Sequence, residues 1–419
     1  MAAADNRIGS AVLIAFALFL LFAVVRLGPQ IRFGWGLDQY DVRWCVYVGD
    51  QVDRGMDPYN PQDRPQLRDS EFEWNNSWLP PLNLVALGGV RTLAGAVQPG
   101  AEPVAAVSRA FAVFDAAVGA LLFLLLALVS RMSLARAALI ASAWYGLNPL
   151  AISSNVFTPE DKPIYALMIL ALFYVLFRLQ SSAENDRAKT TAILFVAACA
   201  GIGLTGGYRV VTLSLIPVIL VWGFFVLTEH RWRTLAVGLA ALGVTFALTI
   251  LPYFPNSLAV FGVRTGSLSR VPTAASVWQW LPAFDVQLAG RTVALSTLVA
   301  IAAFGAIILL LWFRKAPLTL AAGLALMVVT VILSVDNSLD RAMLAWTPLV
   351  LVLAVQRPKL MTFAGIAAAC IAAPIAYHSM HVVYNEPMEA LFSIGMFAFL
   401  VAVSALVIVR PPAIAPVES

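Results

Sequence analysis

Charge, cysteine and histidine are all scarce in this 419-residue chain. Only 12% of its residues are charged and 61% are hydrophobic, whereas soluble domains carry about 25% charged residues. That balance excludes a water-soluble enzyme, and equally a disordered or fibrous chain. The three cysteines, Cys45, Cys199 and Cys370, lie far apart, two of them in apolar runs. Neither a disulfide framework nor a zinc motif is expected from them. Of the three histidines, His378 and His381 stand three apart with no third ligand nearby in sequence, and they read as interface residues. The 27 basic residues are dispersed and never form a run, so nucleic acid is not an expected partner.

What the chain has in abundance is apolar sequence at spanning length, which requires roughly 20 residues per helix. Such runs fall near 8–27, 104–129, 133–151, 162–180, 190–206, 209–228, 233–253, 292–313, 316–335, 342–356, 359–378 and 388–409. They are continuous rather than alternating, so the expectation is helices and not a closed barrel. The fold class expected is therefore an all-α polytopic membrane protein with about 12 transmembrane helices, forming one integral membrane domain over 1–419. Residues 8–25 lack a small-residue cleavage site before Arg26 and read as an uncleaved anchor.

Lysine and arginine sort the connections. Arg131 and Arg136, then Arg178, Arg187 and Lys189, then Arg231 and Arg233, then Arg314 and Lys315, then Arg357 and Lys359 occupy every second connection, which marks a cytoplasmic face. Most of the 23 acidic residues fall in the opposite, outer segments, and only Asp115 lies within a span, where it reads as a helix-interface hydrogen-bonding residue. With the N-terminus and 130–136 both inside, the ambiguous stretch 80–97 cannot cross once. It is expected to lie along or dip into the outer interface. The alternative, an outer N-terminus with 28–79 in the cytoplasm, fits the charges less well. The first outer loop is then 28–103, with 80–97 as its interfacial segment, and 254–291 is the second large outer loop.

The first outer loop carries the candidate chemistry. It is dense in carboxylates and tryptophans, with turn punctuation at Gly55-Met56-Asp57-Pro58-Tyr59-Asn60-Pro61. Asp50, Asp53, Asp63 and Asp69 read as solvated loop charges. Asp38 and Asp41 differ, standing three apart soon after the first span, so a helical turn puts both on one face. A carboxylate near the membrane surface is placed to take a proton from an incoming hydroxyl. Two neighbouring carboxylates also spread their pKa values, leaving one as base and the other as a hydrogen-bond or cation partner.

The string Asp41-Val42-Arg43-Trp44-Cys45-Val46-Tyr47-Val48-Gly49, followed by Gly55, Pro58-Tyr59 and Trp78-Leu79-Pro80-Pro81-Leu82, resembles the first outer loop of GT-C fold glycosyltransferases that use polyprenyl-phosphate sugars. The nearest resemblance is to glycosyltransferase family 87, the polyprenyl-phosphate-mannose-dependent α-mannosyltransferases, and a looser one is to the first mannosyltransferase of GPI-anchor synthesis. Cys45 stands where those families place an aromatic, and the Asp-x-Asp of the GPI enzyme is absent. The resemblance implies a GT-C fold with juxtamembrane helices in a large first outer loop. It also implies Asp41 as general base, inversion at the anomeric carbon and mannose as the donor sugar.

Other residues then take provisional places. In Thr158-Pro159-Glu160-Asp161-Lys162-Pro163 the prolines suit a helix start. One reading is an N-cap with a salt-bridged lysine; the other has Glu160 or Asp161 binding acceptor hydroxyls or a metal, and Lys162 the donor phosphate. Arg264 and Arg270 in the second outer loop, Arg209 after Gly206-Gly207-Tyr208, and Arg341 after Asp336-Asn337-Ser338-Leu339-Asp340 are candidates for phosphate contact, because arginine offers a bidentate fork. Interfacial arginines also bind lipid headgroups nonspecifically. The expected activity is transfer of a sugar from a polyprenyl-phosphate donor to a lipid or glycan acceptor at the extracytoplasmic face of the cell membrane. The alternative class is a transporter or flippase of polyprenyl-linked lipid or sugar, although no repeated halves are evident. Membrane lipids are expected partners. No cofactor is dictated by the sequence, and a divalent metal is left open.

Overall fold

The computed structural model describes residues 2–34, 40–60, 80–157, 159–258, 292–314, 316–333, 339–379 and 387–410. Among these residues the chain is helical without a strand, as a backbone in hydrocarbon must be to satisfy its own hydrogen bonds. Helix α1 (Ala2–Phe33) leads to two shorter helices, α2 (Tyr40–Asp53) and α3 (Pro81–Val97), and then to α4 (Pro103–Val129). A broken stretch follows: α5 (Leu134–Ala141), a π-helical turn at Ser142–Gly146, and α6 (Pro149–Phe157). Next come α7 (Lys162–Glu184), α8 (Ala188–Tyr208), α9 (Leu215–Val226) and α10 (Arg231–Ile250). The chain ends with α11 (Thr292–Arg314), α12 (Leu318–Met327), α13 (Leu339–Gln356), α14 (Pro358–Ser379) and α15 (Pro387–Val409).

Eight of the helices described are long and apolar enough to cross a membrane: α1, α4, α7, α8, α10, α11, α14 and α15. The protein is an all-α, multi-pass membrane protein. The other four expected runs are shorter or interrupted. Run 133–151 breaks at the π-turn, where Asn148 takes over capping: its Oδ1 accepts from Leu150 N at 3.0 Å and its Nδ2 donates to Ala143 O at 3.2 Å. Run 209–228 opens with a 3-10 turn at Val210–Ser214, run 316–335 passes into a π-helix at Val328–Leu333, and run 342–356 lies in a helix with Pro348 inside it. Hydropathy registers none of these changes of hydrogen-bond register.

Helix α4 is the hub. It is 61% buried over its most apolar stretch against 17% for α1, whose Leu13, Phe16 and Val24 face outward. Its start is cut sharply by Pro103 and by Glu102, whose carboxylate accepts from Val104 N at 3.1 Å and Ala105 N at 2.8 Å. Helices α1 and α4 run antiparallel. Arg7 Nη2 donates to Ser130 O at 3.0 Å and to Met132 O at 2.9 Å, so the start of α1 and the end of α4 share one end of the bundle. The chain between them therefore leaves and re-enters at the opposite end. Helix α3, 17 residues and about 25 Å long, stays at that end, packed on α2 and α4.

Arg26 closes the α1–α4 interface. Fully buried, it donates through Nε to Asp115 and through Nη1 to Gly146 O at 2.8 Å, while Tyr145 Oη donates to the other Asp115 oxygen at 2.5 Å. Asp115 is thus a hydrogen-bonded interface residue. Its ion pair and its bond to Tyr145 hold the π-turn in the middle of the broken stretch.

Candidate functional site

The far end of the bundle gathers α2, α3, the start of α7 and the end of α8. Asp41 lies in the first turn of α2, and one turn on, at i+4, Cys45 lies on the same face and is buried. Helix α2 is held against α3 by close backbone approach and by polar ties. A Cβ on Gly49 would meet Arg91 Cβ at 2.8 Å, which is why a glycine stands there. Arg91 Nε sits 2.9 Å from Asp50 Oδ1, and Thr92 Oγ1 donates to Asp53 Oδ2 at 2.9 Å. Asp50 and Asp53, expected to be solvated, therefore fasten α2 to its neighbour. Their spacing of three brings both onto the α3 side, where Arg91 and Thr92 are consecutive.

The first turn of α3 carries Asn83, fully buried, whose Nδ2 donates to Asp161 Oδ2 at 2.5 Å. Asp161 sits just before α7 and does not cap it with its side chain. Its carboxylate accepts instead from Tyr208 Oη at 3.0 Å and from Arg209 Nη2, at 2.8 Å to Oδ1 and 2.9 Å to Oδ2. Lys162 pairs with its other neighbour, Glu160, at 2.8 Å. Burial alone pushes the Asp161 carboxyl up, but Arg209 foremost, then Asn83, Tyr208 and Lys162, outweigh it and hold the group below its ordinary value. Asp161 is a supporting anchor with both oxygens occupied.

Arg209 gains a fixed orientation from that anchor. Its side chain is 24% exposed, and Asp161 engages only Nη2. Nε and Nη1 have no partner among the described residues. A guanidinium steadied at one nitrogen and open at two others is preorganised for an anion, because its fork needs no further ordering. By contrast, Asp41, half-buried, accepts no hydrogen bond and pairs with no cation among the described residues. The Cys45 thiol reports how these groups converge: burial first, then Asp161, Glu160 and Asp41, push it well above its ordinary value against the opposing pull of Arg209.

A clasp closes the same end. The amide of Tyr59 donates to Asp57 Oδ1 at 2.9 Å, and Asn256 Nδ2 donates to Asp57 Oδ2 at 2.8 Å. The Tyr59 ring lies 5.7 Å from that of Tyr253, centroid to centroid. The turn after α2, with Gly55 at φ +72°, is thereby docked on the end of α10.

Of the residues singled out from sequence, the structure brings together Asp41, Glu160, Asp161, Lys162 and Arg209. Asp38, Arg264, Arg270 and the side chain of Arg341 lie outside the described residues. The carboxylates that act with Asp41 on Cys45 come from the start of α7, Glu160 and Asp161. Asn83 and Tyr208 were not foreseen. Their signals were slight: an asparagine in the first turn after Pro80-Pro81, and a tyrosine directly before a boundary arginine. Among the described residues, no group of three or more His, Cys, Asp or Glu is placed to hold a metal ion. No protein-family model matches the chain, and no curated protein matches it.

Proposed function

We propose that the protein is a membrane glycosyltransferase that moves a sugar, mannose by the family 87 resemblance, from a polyprenyl-phosphate donor to a lipid or glycan acceptor at the extracytoplasmic face. The observation that carries this reading is one cluster holding two complementary groups, the uncommitted carboxylate of Asp41 and the anchored, partly open guanidinium of Arg209. Glycosyl transfer from a phosphate donor requires both. A base takes the acceptor hydroxyl proton as that oxygen bonds to the anomeric carbon. A cation then receives the charge as the carbon–oxygen bond to phosphate breaks and the electron pair leaves with the phosphate. Attack opposite the leaving group inverts the anomeric configuration, and the proton ends on Asp41. Positive charge on the connections at the other end of the bundle supports assigning the cluster to the outer face.

A buried ion pair such as Arg26–Asp115 is also a feature that transporters use. Here each partner is held by further hydrogen bonds to the π-turn, which favours a fixed helix interface over a moving relay.

The test is sugar incorporation by the full chain in lipid nanodiscs, using a radiolabelled polyprenyl-phosphate mannose and membrane lipids as acceptors. Wild type transfers label, and Asp41→Asn loses about 10²–10⁴-fold in rate, the contribution expected of a positioned base, while its thermal unfolding is unchanged. Absence of transfer by wild type, or full activity in Asp41→Asn, overturns the assignment.

A further inference from the structure

We propose that the carboxamide of Asn83 reads a hydroxyl of the donor sugar, so that the cluster recognises a sugar ring and its phosphate together. The inference rests on the glycosyltransferase reading and deepens it.

Asn83 is fully buried in the first turn of α3, and its amide oxygen, Oδ1, has no hydrogen-bond partner among the described residues. Buried carbonyl oxygens are almost always paired, and an exception calls for a reason. The orientation of the group is not arbitrary. Nδ2 must face Asp161, because reversing the amide would set its oxygen against a carboxylate oxygen 2.5 Å away. The unpaired acceptor is therefore aimed away from Asp161 by the same contact that steadies the residue.

The neighbouring groups fix the ligand chemistry. Both oxygens of Asp161 are occupied by Arg209, Asn83 and Tyr208, so Asp161 offers no strong acceptor to a ligand. Around that carboxylate, Asn83 Oδ1 is a buried acceptor left unpaired among the described residues and Arg209 Nε and Nη1 are open donors, both residues tethered to the same side chain. A ligand that satisfies both has an O–H donor close to anionic oxygens. A sugar phosphate has this pairing, with ring hydroxyls beside the phosphoester. A phospholipid headgroup without a polyol supplies the anion alone.

The test pairs a variant with a substrate series. Initial rates are measured for wild type and Asn83→Ala with polyprenyl-phosphate mannose and with its 2-, 3-, 4- and 6-deoxy analogues. In wild type one analogue loses about a hundredfold or more in kcat/KM, as a site built to bond a hydroxyl rejects a ligand lacking it. Asn83→Ala is expected to be impaired with the full donor and to show no additional penalty for that analogue, while the other analogues lose equally in both proteins. Deoxy penalties that are the same in wild type and variant at every position overturn the inference, and mean that Asn83 is structural or bonded only to water. Should Asn83→Ala misfold by size exclusion, Asn83→Leu, closer in volume, is read in the same way. Failure of wild type to transfer from any donor sinks the glycosyltransferase reading itself, whereas transfer with flat penalties sinks only the role of Asn83.

Discussion

Replacing Gly207 by alanine tests whether the position of Arg209 is set by how closely α8 approaches α10. Gly207 lies two residues before Arg209, and a Cβ built on it would stand 2.0 Å from Thr249 Oγ1, 2.4 Å from Thr249 Cβ and 2.6 Å from Thr249 Cγ2. Ordinary contact begins at 3.4 Å, so the 2.4 Å approach has to open by about 1 Å. Rotation of the Thr249 side chain does not relieve it, because the Cβ is fixed to the backbone of α10. Overpacking of this kind costs about 1–3 kcal/mol, more than the roughly 1 kcal/mol that alanine gains over glycine in helix propensity. A 1 Å displacement at a reacting centre costs on the order of 10²-fold in rate. Gly207→Ala is therefore expected to lower the unfolding temperature in detergent and to cut sugar transfer by about that factor. The companion Gly207→Ala/Thr249→Gly removes all three clashing atoms and recovers most of the lost transfer, though not all the stability, because α10 then carries an interior glycine. Wild-type stability and activity in Gly207→Ala, or a double variant as impaired as the single, would refute the reasoning.

Other outcomes follow from the same contacts. Arg26→Leu and Asp115→Leu each strand a buried charge and lower stability by about 3–5 kcal/mol, while the double variant recovers much of the loss, as chemical unfolding in detergent can measure. The depressed Asp161 carboxyl contributes stability that is fully present above its ordinary value of 3.8 and is lost as pH falls through the lower folded value. A thermal unfolding series in acid is expected to fall more steeply for wild type than for Asp161→Asn, and parallel curves would contradict the assignment.

The fold and the site were legible to different depths. Helices α1, α4, α7, α8, α10, α11, α14 and α15 follow from runs of apolar residues, since a helix buried in lipid needs only its own neighbours. Pro163 marked the start of α7, because a missing N–H matters only within one turn, whereas Pro81 and Pro103 do the same at α3 and α4 without having been singled out. The expectation that 80–97 does not cross came from counting charges, a global constraint that needs no contacts. The interruptions at Ser142–Gly146 and Val328–Leu333 were invisible, because apolar composition is the same in α and π register. Asp161 illustrates the limit at the site. Its neighbour in sequence is Lys162, yet its ion-pair partner is Arg209, 48 residues away, and Lys162 turns to Glu160.

The amino-acid order by itself determined that this is a helical membrane protein, where its polar segments fall along the chain, that Asp41 follows the first span and that Arg209 stands at the end of another. Those properties depend on solvation and on residues within a few positions of one another. Only the tertiary structure decided that Arg26 belongs to the buried interior, that Asp50 and Asp53 are fasteners, and that Asn83 and Tyr208 hold Asp161. Each of those facts is a pairing across the packed interface of helices far apart in the chain, selected because a charge or amide removed from water must find its partner wherever packing brings one within reach.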